Sequence, residues 1–105
     1  MQDIELSREE LIDRKLYQDI TLLLFIYDPI RLCYNENIYE YETQSSIILN
    51  ALKDFKDIPT LAEDIRSIFA RLFSSDLADE FKDYELLAKQ IERSFRVADI
   101  VKRSR

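Results

Sequence analysis

An all-helical bundle is the fold class this sequence predicts, and three observations carry the prediction. The 105 residues include no glycine and only two prolines, so the positive-φ turns that sandwiches and barrels need have no supply. Leu, Ile, Glu, Asp and Arg are abundant, a composition suited to helices. Four capped or clearly periodic apolar segments are separated by short connectors, which favour antiparallel neighbours. The expected architecture is one domain over residues 1–105, a compact bundle of four main helices with a short extra helical turn near 76–81. Its core runs from about 7 to 101, with tails at 1–6 and 102–105. A chain of this length buries roughly two thirds of its unfolded surface, enough for one core without metals or disulfides.

The first helix starts at Arg8. Ser7 with Glu10 is a capping box, and Leu6 with Leu11 takes the positions of a hydrophobic staple. Leu11, Ile12, Leu16, Ile20, Leu23 and Tyr27 recur at helical spacing, with Arg8, Glu9, Asp13, Arg14, Gln18 and Asp19 opposite. From Leu22 the helix becomes apolar all round, which predicts a buried end. Pro29 disfavours the helical region for Asp28 and ends the helix there.

A second helix is expected from Asn37 or Tyr39 to Phe55, with Asn37 and Glu40 as a capping pair. Tyr41, Ser45, Ile48, Leu52 and Phe55 form its stripe, widened by Ile47, Leu49 and Ala51. Asp57-Ile58-Pro59 breaks the chain, and Thr60 with Glu63 reads as a second capping box before Leu61, Ile65, Ile68, Phe69, Leu72 and Phe73. Ser75 to Asp83 reads as a helical turn plus connector. Asp83 then caps a last helix with the stripe Tyr84, Leu87, Ala88, Ile91, Phe95, Ala98 and Val101, and Lys102, Arg103 and Arg105 lie at the C-terminal end, where the helix dipole favours cations. The expected shared core comprises Leu16, Leu23, Ile48, Leu52, Ile65, Phe69, Ile91 and Phe95.

The chemistry available is narrow. No histidine is present, which removes the commonest general base and metal ligand. A single cysteine, Cys33, meets neither a structural zinc nor an internal disulfide, and packing is its ordinary role. Without glycine there is no phosphate-cradling loop. Of the carboxylate pairs, Glu9-Glu10 and Glu63-Asp64 are accounted for by caps and first-turn positions. The expectation is a non-enzyme without cofactor or metal. A net charge of −6 opposes direct binding to nucleic acid or an anionic membrane and favours a basic protein partner. Leu22 to Tyr27 is far too short to span a bilayer, and the first residues lack the features of a signal peptide, so the cytoplasm is the expected compartment.

One segment stands out as a candidate binding surface. Between Arg31 and Lys53 there is no cation, while Glu36, Glu40 and Glu42 lie among Tyr34, Tyr39 and Tyr41. Aromatic anchors supply contact area and carboxylates steer and register a basic partner; equally, such rings can cap the core with their hydroxyls in water. Asp76, Asp79, Glu80 and Asp83, opposed only by Lys82, form a second acidic cluster, either a solvated face or a further contact.

Tyr27-Asp28-Pro29-Ile30, the Tyr39-Glu40-Tyr41-Glu42 helix entry, and Leu61-Ala62-Glu63-Asp64-Ile65 followed by Ile68-Phe69 and Phe73 together resemble a family of small all-helical bacterial domains of unknown function. Its members carry an aromatic-Asp-Pro turn, and related small proteins are similar to the immunity proteins of contact-dependent growth-inhibition and polymorphic toxin systems. The likeness spans roughly residues 20 to 95. This chain departs from it by carrying Tyr27 and Ile30-Arg31-Leu32 where many members have tryptophan before the turn and glycine after it. The resemblance implies an immunity protein, a monomer or weak homodimer when free, that occludes the active surface of a basic nuclease toxin and so acts as a nuclease inhibitor. The alternative from another class is a stand-alone housekeeping or regulatory helical domain that meets its own symmetry mates.

Overall fold

The structure, a computed structural model, describes residues 6–30 and 41–104. Among these residues there are five helices and no strand: α1 (Arg8–Tyr27), α2 (Glu42–Ala51), α3 (Ile58–Leu72), α4 (Ser75–Glu80) and α5 (Tyr84–Arg103), with a 3-10 turn at Leu52–Asp54 extending α2. The all-α bundle with a short fourth helix is therefore the fold.

Local chemistry sets most of the ends. At α1 the capping box is complete: the Ser7 N–H donates to Glu10 Oε1 at 3.0 Å and the Glu10 N–H donates to Ser7 Oγ at 3.1 Å. The backbone bond from Ser7 holds the Glu10 carboxyl below its usual range. α1 stops at Asp28, whose φ of 46° places it in the left-handed region while its N–H still reaches the Leu24 carbonyl at 2.7 Å. Asp is among the few residues that tolerate this conformation without glycine's freedom.

The start of α3 and the cap of α5 differ from the sequence expectation. α3 begins at Ile58, because the Asp57 side chain accepts the Thr60 N–H at 2.8 Å and Pro59 sits in the first turn, where a missing N–H is harmless. Thr60 and Glu63 are thus inside the helix, and Glu63 pairs with Arg66 instead of capping. Asp83 occupies the N-cap position of α5, yet its side chain makes no cap bond. The expected start of the second helix, with Asn37 and Glu40, lies outside the described residues.

α1 packs on α2 and α5, and α3 packs on α2, α4 and α5, so α1, α2, α3 and α5 close a ring around one core. α5 runs antiparallel to α1. Arg8 near the start of α1 donates to the carbonyls of Val101 and Lys102 at the end of α5, and Lys102 Nζ lies 2.6 Å from Asp13 Oδ1. A cation on exposed C-terminal carbonyls satisfies both hydrogen bonding and the helix dipole.

Ile20, Leu24, Tyr41, Ile48, Leu52, Ile65, Phe69, Leu87 and Ile91 are fully buried. Of the expected core, Leu23 and Phe95 lie at its edge. The end of α1 is not buried on all sides: Leu24 points inward while Leu22 and Ile26 are exposed. An apolar run of a full turn or more has one side facing out wherever no helix covers it. A polar pin crosses the α1–α2 contact, where Thr21 Oγ1 lies 2.8 Å from Ser45 Oγ and Ser45 in turn donates to the Tyr41 carbonyl at 2.9 Å.

The aromatic side chains join four helices. Tyr27 meets Phe81 edge-on at 6.2 Å, Phe81 meets Tyr84 at 4.8 Å, and Phe69 touches Tyr84, Tyr41 and Phe73 at 5.7 to 6.4 Å. Such pairs add about 0.5–1.5 kcal/mol beyond area burial. They also bind the short α4 segment to the main core.

Candidate functional site: an acidic, apolar corner at α4

The tyrosine segment is divided by the structure. Tyr34, Glu36, Tyr39 and Glu40 lie outside the described residues. Tyr41 is a correction: it is fully buried, its ring edge-on to Phe69, so it is a core residue and not an exposed anchor. Its hydroxyl donates to Asp28 Oδ1 at 2.5 Å and accepts the Ile30 N–H at 3.3 Å, which gives a buried phenol the polar partners it needs. Glu42 is exposed, but it accepts a 3.1 Å bond from the Tyr17 hydroxyl across the α1–α2 contact. Partial burial, and then this bond, raise the Tyr17 pKa.

The second acidic cluster is placed together and in the open. Phe73 and Ser74 form the junction between α3 and α4, and the Ser74 side chain accepts the Leu77 N–H at 3.1 Å, starting α4 one residue after its cap. This abrupt restart leaves Asp76, Asp79, Glu80 and Asp83 all exposed. The same stretch, residues 73–83, carries two large apolar side chains that the core does not absorb, Phe73 at 37% and Leu77 at 43% exposure. Phe73 stacks at 6.2 Å on Phe69 with an interplanar angle of 18°, so one ring face is braced by the core and the other meets solvent.

The corner is held rigid from beneath. The Tyr84 hydroxyl donates to the Ala78 carbonyl at 2.7 Å, and burial pushes its pKa up to about 12. Lys82 Nζ donates to the Asp79 carbonyl at 2.7 Å. Arg66 on α3 grips Glu63 at 2.6 Å and reaches Asp79 at 3.2 Å, holding the Glu63 carboxyl below its usual range. Among the described residues, Asp76, Glu80 and Asp83 have no cation within ion-pair distance. Three carboxylates without ion-pair partners thus share one short exposed stretch with a supported ring and a leucine.

Sequence reasoning found the acids and missed the apolar partners. Phe73 reads as the end of the α3 stripe and Leu77 as a connector residue. The overlooked signal is Ser74, a cap that follows directly on the last apolar residue of α3 and leaves no room for the chain to fold Phe73 fully inward. No group of three or more Cys, Asp or Glu side chains able to hold a metal ion occurs among the described residues, and no helix among them is long and apolar enough to cross a membrane. Compared with known proteins, the chain matches no family model, no curated protein and no solved structure.

Proposed function

We propose that this chain is a non-catalytic binding protein of the immunity type, which neutralises a basic toxin domain in the cytoplasm by covering its active surface with the α4 corner. The observation that supports this most is that Asp76, Glu80 and Asp83, exposed and without cations, share one short stretch with the exposed Phe73 and Leu77. A few well-packed anchors at the centre of a contact supply most of the binding energy, while carboxylates steer a basic surface and compete for cations that would otherwise hold phosphate. The net charge of −6 acts in the same direction. The family resemblance supplies the toxin as the class of basic partner.

The experiment is co-expression with the toxin encoded beside this gene, followed by binding measurements on purified proteins. Changing Asp76, Glu80 and Asp83 together to Asn, Gln and Asn removes charge at nearly constant size. That variant is expected to keep its circular dichroism and lose affinity by about tenfold or more. Full protection by the folded triple variant, or the absence of binding by the unmodified chain, would refute the reading.

A further inference from the structure

A second surface, at the other end of α5, carries the opposite charge. α1 and α5 lie side by side, and α2 closes one side of their seam with Ser46, Leu49 and Asn50. The other side has no covering helix among the described residues. It is an open groove of about 690 Å³ with an apolar floor that includes Ile12 and Leu16 and a wall of Leu11, Val97 and Val101. Leu11 is 53% and Val97 55% exposed, so these side chains present apolar area that the fold itself does not bury.

The charges on the groove differ in sign from the rest of the molecule. Arg8, Lys15 and Arg93 line it against the single carboxylate of Asp19, in a chain whose net charge is −6. Lys15 and Asp19 pair with each other at 2.6 Å. Arg8 is held by carbonyls of α5 and has no carboxylate partner, and Arg93 has none among the described residues either. These two guanidinium groups, neither paired with a carboxylate, mark the two ends of the floor. Because Arg8 reaches Val101, their separation along α5 corresponds to eight residues, about 12 Å.

We infer that this groove receives an amphipathic helix of a partner protein whose apolar stripe is flanked by carboxylates. A helix laid along the seam would place apolar side chains at i, i+3 or i+4, and i+7 over Leu11 and Val97, the ordinary mode of helix-in-groove recognition. Acidic side chains about two turns apart would then meet Arg8 and Arg93 together. The concave seam between two antiparallel helices suits a third helix packed by ridges into grooves. The inference does not rest on the role assigned to the α4 corner.

The test uses the full chain and two designed peptides of about 18 residues, long enough to hold helix. Both carry the same leucine stripe; one is flanked by Glu and the other by Lys. In fluorescence anisotropy the Glu-flanked peptide is expected to bind at least about tenfold more tightly than the Lys-flanked one. Val97→Asp, on an exposed position that leaves the core intact, should abolish that binding, and Arg93→Glu, which cancels the net positive charge of the groove, should remove the preference. Failure of both peptides to bind, or equal binding that survives Val97→Asp, overturns the inference. So does a concentration-dependent dimer that Val97→Asp dissolves, which would make the occupant a second copy. Retention on anionic phospholipid vesicles that Val97→Asp abolishes would assign the groove to a lipid surface and overturn it as well.

Discussion

The Tyr41 hydroxyl donates to Asp28 Oδ1 at 2.5 Å and at the same time accepts the Ile30 N–H at 3.3 Å, so one buried phenol clasps both sides of the Asp28-Pro29 corner. The corner contains the one positive-φ residue among those described, and the clasp joins the end of α1 to the start of α2. Removing only the oxygen isolates this contribution. Tyr41→Phe keeps the edge-on contact with Phe69 but leaves the Ile30 N–H buried without that acceptor, and is expected to cost about 1–3 kcal/mol in urea denaturation. A change below the error of the fit would show that the corner holds its shape by other contacts.

Phe69 and Phe95 should respond very differently to truncation. Phe69 is fully buried and meets three other rings, so Phe69→Ala is expected to cost about 3–5 kcal/mol. Phe95 lies at the core edge against Phe55, and its truncation should cost no more than about 2 kcal/mol. Equal losses would mean that the bundle closes more tightly around α5 than the burial of these residues indicates.

Alkaline pH should weaken the α4 corner through Tyr84. Its pKa is raised by burial from 10 to about 12, so the folded chain holds this proton more tightly than the unfolded chain does. The stabilisation is complete below pH 10 and is lost as pH rises from about 10 towards 12. Chemical denaturation across this window should show falling stability, and Tyr84→Phe should flatten the fall that belongs to this residue. A profile unchanged by Tyr84→Phe would place the alkaline sensitivity elsewhere.

For the proposed partner contact, kinetics separate the two kinds of side chain. Phe73→Ala or Leu77→Ala should speed dissociation about tenfold with little change in association, since apolar anchors act after encounter. Neutralising Asp76, Glu80 and Asp83 should slow association and reduce its dependence on salt. Surface plasmon resonance at two salt concentrations checks both, and the opposite assignment of rates would count against the corner as the contact.

What could be read from the sequence was what adjacent residues decide. Ser7 and Glu10 are three residues apart and cap α1 with no help from the rest of the chain. Ile65 and Ile91 recur at helical spacing with polar neighbours, so their inward direction follows from period alone. Tyr41 had two readings, a place on the helix stripe with Ile48 and Leu52 and a surface anchor between carboxylates, and the choice is decided only when Asp28, thirteen positions away, is brought to its hydroxyl. Leu22 and Ile26 were misread for a related reason: a segment apolar on all sides has no period to say which side is covered. At α3 the reading of Asp57-Ile58-Pro59 as a break missed Asp57 as the cap, although Pro59 is at home in a first turn.

The separation of charge along α5 has a consequence before any contact is made. α5 is about 30 Å long; the unpaired carboxylates of Asp76, Glu80 and Asp83 precede it in the chain, while Arg96, Lys102 and Arg103 outnumber Asp99 along its second half. The molecule therefore has an electric moment along this axis, and a charged body within about 10 Å at 0.1 M salt exerts a torque on it. A basic body turns the α4 end towards itself, and an acidic one turns the groove.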